Sequence, residues 1–180
     1  MSFRVVPAAY VLLLRSSARD GPDEVLLQLR RGTGYRDGHW ACAAAGHVEA
    51  GESVLAAACR EAAEELGVTI EPDDLVPLTA MHRTQGTTEW IDERVDFFFT
   101  CRSWTGVPRR MEYAKAAELR WCALDALPDP VVPHEHFVLA GLLVSDLPSI
   151  VTFGFRESPM ADGGAVSGAD AARRRATPGE

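Results

Sequence analysis

The stretch Gly46–Val68, GHVEAGESVLAAACREAAEELGV, limits what this chain can fold into more than any other. It holds five glutamates, Glu49, Glu52, Glu61, Glu64 and Glu65, against one full cation, Arg60. Continued to Asp74 it sets eight carboxylates against one guanidinium, so the segment carries −7 of the chain's net −8. A merely solvated surface intersperses both signs of charge. The run from Val54 to Leu66 contains neither glycine nor proline, Ser53 suits an N-cap, and Gly67 suits the left-handed residue that stops a helix. At about 100° per residue, Glu61, Glu64 and Glu65 share one face. Leu55, Ala58, Cys59, Ala62 and Leu66 fall on the neighbouring arc and are expected to face the core. Arg60 falls at the edge of the acidic cluster. Like charges at these spacings destabilise a helix unless something offsets them. A hard divalent cation that also bridges to phosphate oxygens is the natural candidate, Mg²⁺ or Mn²⁺.

The remaining segments supply a sheet. Phe3 to Arg15 and Glu24 to Arg30 are β-rich runs joined by turn residues, and His39 to Ala45 is a short strand leading into the acidic stretch. Leu75 to Arg83, Arg94 to Arg102 and Leu119 to Leu124 are three further strands, and Ile150 to Phe155 is a short last one. Apolar residues at helical spacing predict a second helix over His134 to Val144. Strands with two interspersed helices imply an α+β or layered α/β/α arrangement in one domain, residues 1–157. From Ser158 to Glu180 the chain is rich in Gly, Ala, Asp and Arg and reads as a disordered tail.

Composition narrows the function. Hydrophobic residues make up 47% of the chain, and no apolar run is long enough to span a bilayer. The first residues read as a strand and not as a signal peptide. The cysteines, Cys42, Cys59, Cys101 and Cys122, lack CxxC spacing and sit among apolar residues, which implies reduced thiols and a cytoplasmic location. The acidic balance argues against nucleic-acid or membrane partners, and Arg173–Arg175 reads as solvated charge.

Gly46, Glu52, Arg60-Glu61, Ala62, Glu64-Glu65, Gly67 and Val68 match every fixed position of the Nudix box, with Ala62 a small residue at an aliphatic site. The chain thus resembles the Nudix hydrolases across roughly residues 3 to 155. That resemblance implies the Nudix fold, a mixed sheet sandwiched between helices with the box as a loop–helix–loop. It also implies hydrolysis of a nucleoside diphosphate linked to another group, X. By position, Glu61, Glu64 and Glu65 correspond to metal-binding glutamates, with Glu61 also placed to activate water. The carbonyl of Ala45 or Gly46 corresponds to a further ligand. Glu52 and Arg60 correspond to an ion pair that holds the loop to the helix, with Glu52 a secondary residue near the metal. Many relatives add a later carboxylate, for which the candidates are Glu112, Glu93, Asp92 and Glu89, with Glu112 in the most similar setting. Relatives are often homodimers.

The box does not say what X is. Markers of the ADP-ribose, diadenosine polyphosphate and NADH subfamilies are missing downstream, where the chain has Arg83, Thr84, Gln85 and Gly86. What remains resembles the MutT-type nucleoside triphosphate pyrophosphohydrolases. Nucleotide sugars, ADP-ribose and prenyl diphosphates stay open as substrates, as does a nucleotide-binding module without catalysis. Candidate substrate contacts are Arg30, Arg31, Tyr35, Arg36, Asp37, His82, Arg83 and Trp90, together with His47 inside the box. Arginine suits phosphate and aromatic rings suit a base.

Overall fold

A computed structural model describes residues 3–17, 21–87 and 89–155. The expected tail, 158–180, lies outside the described residues. The elements run β1 (Val6–Arg15), β2 (Glu24–Arg30), β3 (Trp40–Cys42), β4 (Ala44–His47), α1 (Val54–Leu66), β5 (Leu75–Arg83), β6 (Arg94–Cys101), β7 (Ala116–Ala123), α2 (Pro133–Val144) and β8 (Ile150–Phe153). Short 3₁₀ turns precede β5 and β6, at Pro72–Asp74 and Trp90–Asp92.

The sheet is mixed and centred on β1. It runs β3-β2-β1-β6-β5-β8, with β4 also pairing with β1 and β7 with β2. The β1–β6 and β5–β8 pairs are parallel, and the others are antiparallel. A strand covered on both faces reads as nearly continuous apolar sequence, and β1 is Val-Pro-Ala-Ala-Tyr-Val-Leu-Leu-Leu-Arg. Its alternate residues divide the core. Ala8, Tyr10, Leu12 and Leu14 pack with Phe98, Met81 and α2 residues Val138 and Leu139. Ala9, Val11 and Leu13 pack with Phe99 and with Ala57, Ala58, Ala62 and Leu66 of α1. The sandwich of helix, sheet and helix follows from this two-faced strand.

Three expectations are corrected. The single strand over His39 to Ala45 is two strands: β3 pairs with β2 through Leu27↔Cys42, while β4 pairs with β1 through Val11↔Ala44. Ala43 lies between them, where the chain changes partner. The first strand begins at Val6 rather than Phe3. On α1, Leu55 is 38% exposed and Ala57 takes its expected place in the core. The helix span itself is as the sequence predicts. The Ser53 hydroxyl accepts from the Ala56 N–H at 3.1 Å. Gly67 adopts φ 67° and donates its N–H to Ala63 O at 3.0 Å.

The buried face of α1 is largely alanine, so the helix lies close to the sheet and brings its glutamates to β4. Ala62, fully buried against this layer, should not accept a larger side chain. Ala62→Leu should cost about 1–3 kcal/mol by overpacking, read from urea denaturation midpoints at unchanged m-value. It should also reduce hydrolytic rate by displacing the acidic face.

Candidate active site

Glu61 and Glu65 project from α1 onto the Ala45–Gly46 backbone of β4. The Ala45 N–H donates to Glu65 Oε2 at 2.8 Å. The Glu61 carboxylate occupies the space over Gly46, where an added Cβ would lie 1.9 Å from Oε1. Gly46 is therefore required by close approach and not by a turn. Glu64, 58% exposed, lies further out on the same face.

Arg60 is not at the edge of the cluster, as its position in the sequence suggests, but at its centre. Its guanidinium donates to Glu52 Oε1 and Oε2 at 2.9 and 3.1 Å, to Glu61 Oε1 at 2.7 Å and to Glu64 Oε2 at 3.1 Å. It also donates to the His47 carbonyl at 3.0 Å, tying the end of β4 to the helix. Glu52 in turn accepts from the Glu49 N–H at 3.1 Å. The bond from Arg60 holds Glu52 below the usual carboxylate range, and these three acids together hold the Arg60 proton more firmly than usual.

Glu61 and Glu65 move the other way. Burial raises Glu61 despite the pull of Arg60. Burial pushes Glu65 up to about 8, with Glu61 and Glu112 adding to the rise and the Ala45 N–H opposing it. Glu112 is brought to this cluster by the 105–115 loop, which docks on the end of α1 through Arg109 N–H to Leu66 O (3.0 Å) and Met111 N–H to Glu65 O (3.1 Å). One Glu112 oxygen pairs with Lys115 at 2.8 Å, and the other is buried without a partner. Two of the rival later-loop acids are engaged elsewhere: Glu93 accepts from Thr84, and Asp92 from Gln85 and Thr87.

The oxygen-only donors, the raised carboxylates and the orphaned Glu112 oxygen fit a hard divalent cation. Among the described residues no three His, Cys, Asp or Glu side chains already converge as metal ligands. Arg60 bonds both Glu61 and Glu64. Of the sequence-predicted acids, Glu61, Glu65 and Glu112 come together here, with Glu64 on the same face further out.

On the opposite face of β4 lies a cavity of about 160 Å³, lined by Ala45, Gly46, His47, Arg30, Tyr35 and Arg83 among others. Arg83 is nearly fully buried and pairs through Nε with Asp96 Oδ2 at 2.7 Å, so it is a fixed cavity wall and not a mobile phosphate finger. Burial and Arg94 lower His47. Tyr35 sits 5.6 Å beneath the Arg30 guanidinium, and its carbonyl accepts from Arg30 Nε at 2.9 Å. The other expected contacts are not gathered here. Arg31 is exposed and donates to the Tyr113 carbonyl, joining the two loops. Arg36 is exposed with φ 51°. Asp37 caps its own loop through Thr33 and Gly34. His82 packs on Phe155 at 4.6 Å, and Trp90 is 61% exposed on its short turn.

Sequence reasoning missed Gln28, Arg94, Asp96, His134 and Glu135. Asp96 gives the clearest signal, one carboxylate inside the apolar run Val95–Phe99. Glu135 accepts from the Cys42 N–H, and burial pushes it up to about 7.

Two outcomes follow from these contacts. Gly46→Ala meets only the far end of Glu61, so it should leave the melting temperature nearly unchanged and reduce kcat by about tenfold or more. Glu135 titrates higher when folded than when unfolded, so its contribution is fully present below about pH 4.5 and lost as pH rises through about 7. Glu135→Gln, which keeps the acceptor for Cys42, should lose less thermal stability than the parent between about pH 5 and pH 8, measured by melting curves.

The described residues contain no helix long and apolar enough to cross a membrane. Their four cysteines are free thiols, three of them buried. Comparison with curated proteins returns no match. Among solved structures, the chain is similar to a MutT NUDIX hydrolase from Burkholderia pseudomallei at 26% identity, TM-score 0.66, covering 76% of this chain and 97% of that one. It is also similar to a NUDIX hydrolase from Nitrosomonas europaea at 16% identity, TM-score 0.63, covering 85% and 80%. A MutT protein from Bacillus halodurans matches at 22% identity, TM-score 0.59, covering 79% and 85%. The family model of the NUDIX domain matches residues 5–140. With that match over most of its length, an intact acidic helix and a mixed sheet between two helices, the chain belongs to the NUDIX family and is a Nudix-type pyrophosphohydrolase.

Proposed function

We propose that the chain hydrolyses nucleoside triphosphates in the presence of Mg²⁺ or Mn²⁺. The observation that carries this reading is the pair Glu61–Glu65 buried against Ala45–Gly46, where carboxylate charge is raised in energy and an oxygen-binding cation is favoured. When bound, the ion supplies charge neutralisation on the pyrophosphate. Glu61, Glu64 and Glu65 would hold it, with the Ala45 or Gly46 carbonyl and Glu112 as further oxygen donors. Glu52 and Arg60 keep the loop and helix in register.

Glu61 is the residue set to take the proton of the attacking water. The water oxygen bonds to phosphorus, the bridging P–O bond breaks with its electron pair on the departing phosphate, and the water proton passes to Glu61. Arg83 and Tyr35 line the space beside this point. Arg31 and Arg36, on the loop after β2, and His82, on β5, are the further contacts that this reading assigns to the outer part of a bound nucleotide.

A screen over NTPs, dNTPs, nucleotide sugars, ADP-ribose and prenyl diphosphates with each metal, with products separated by chromatography, tests the reading. Preferred turnover of a triphosphate is expected. Preferred turnover of a prenyl diphosphate, or of none of these, overturns it. Glu64→Gln and Glu65→Gln should each reduce kcat by about 100-fold or more at retained melting temperature, and unchanged rates in both would refute the metal assignment.

A further inference from the structure

The turn that carries Glu112 also carries a cation, Lys115, and backbone bonds fix its place. The Arg109 and Met111 amides bind the last carbonyls of α1. The Glu112 carbonyl accepts from the Lys115 and Ala116 N–H groups, each at 3.1 Å, and closes the turn. The Lys115 carbonyl accepts from the Arg31 N–H at 2.8 Å, one residue before Ala116 joins β7 opposite Arg30. The turn returns the Lys115 side chain to Glu112, and Nζ lies 2.8 Å from Glu112 Oε1.

The same ammonium acts on the acids of α1. Its proton is held more firmly than usual, first by the bond to Glu112 and further by the fields of Glu112, Glu65 and Glu61. In return it works against the rise that burial imposes on Glu61 and Glu65. Arg60 does not serve this part of the cluster. Its bonds go to Glu52, Glu61, Glu64 and the His47 carbonyl, and none reaches Glu65 or Glu112.

The Lys115 pairing is built to be released. Its side chain is 60% exposed, so the ammonium can swing into water on its flexible stem. An exposed pair of this kind holds weakly. It also engages one Glu112 oxygen only, while the other is buried without a partner. A divalent ion that draws on Glu112 and the α1 acids meets the ammonium as a like charge at short range, and the two repel.

We infer that Lys115 is a positioning residue that competes with the divalent ion: ammonium and ion both draw on Glu112 and the buried α1 acids, the ion displaces Lys115 from Glu112 as it binds, and Lys115 thereby sets how much ion the site requires. The inference rests on the reading that Glu61, Glu65 and Glu112 take the ion, and it adds a residue outside the Nudix box.

The test is Mn²⁺ titrated calorimetrically into the full chain, stripped with EDTA and dialysed, at fixed ionic strength and without nucleotide. Lys115→Met keeps the stem and removes the charge, and it should bind Mn²⁺ about tenfold more tightly than wild type. A gain in affinity is an outcome that loss of structure does not produce. Lys115→Gln should show the same gain should the methionine variant aggregate, and Lys115→Arg, which keeps the charge, should show none. Arg102→Met removes an equally exposed cation that pairs with Asp23, and it should leave the affinity unchanged. In a Glu112→Gln background, Lys115→Met should gain no more than about threefold, because the shared carboxylate is gone. Mn²⁺ affinity in Lys115→Met no higher than in wild type, an equal gain in Arg102→Met, or no Mn²⁺ binding by either wild type or Lys115→Met would each overturn the inference. If wild type hydrolyses no triphosphate while Lys115→Met still binds Mn²⁺ more tightly, the substrate reading fails and the role of Lys115 stands.

Discussion

The acidic face of α1 depends on one guanidinium. Arg60 meets Glu52 with two nitrogens and reaches Glu61 and Glu64 with a third contact set, while also bonding the His47 carbonyl. Without it, carboxylates on adjacent turns would repel one another and the loop from β4 to α1 would lose its anchor. The same residue limits how far the acids can be satisfied by protein alone. Glu65 lies outside its reach and keeps its charge only at a cost, since burial and two neighbouring acids act against ionisation. The helix is thus held together by Arg60 and left incomplete at Glu65.

The sheet separates two kinds of electrostatics. On the α1 side, carboxylates gather around Gly46. On the α2 side, arginines gather around Ala45 and His47, with Asp96 as their buried counterion. β4 is the partition, and Gly46, which has no side chain, keeps it thin where Glu61 must approach. The alanine-lined face of α1 has the same effect at larger scale, since small side chains let the helix lie close to the strand that it serves. Fold and site are consequently set by the same residues.

Much of this was legible in the sequence, and the limits have physical causes. The α1 boundaries were readable because Ser53 and Gly67 act locally, through a cap and a left-handed turn that need no tertiary partner. The acidic face followed from helical period. Arg60's central place was not readable, because its long side chain folds back on a loop whose course depends on β4 pairing with β1. The split of β3 from β4 is likewise a matter of partner choice, invisible in a run of alanines. Leu55 and Ala57 exchanged roles because the buried arc depends on which side of the helix meets the sheet. Arg83 was singled out as a substrate contact, yet its burial with Asp96 depends on the register of β5 against β6, which places Arg83 beside Arg94 and Met81 beside Asp96. His134 and Glu135 were hidden for a related reason: nothing local tells that the first turn of α2 faces a polar cavity.

The docking of the 105–115 loop on α1 has one more consequence. The last carbonyls of a helix have no partners within it, and here Leu66 and Glu65 receive the amides of Arg109 and Met111 from a distant segment. Fraying of the last turn of α1 therefore requires detaching that loop, and release of the loop uncaps the turn. The two segments form one cooperative unit in native-state hydrogen exchange, with the Arg109 and Met111 amides protected together with the helix end. Glu65 and Glu112 sit on opposite sides of that unit, so their spacing is preserved by backbone bonding before any ligand arrives.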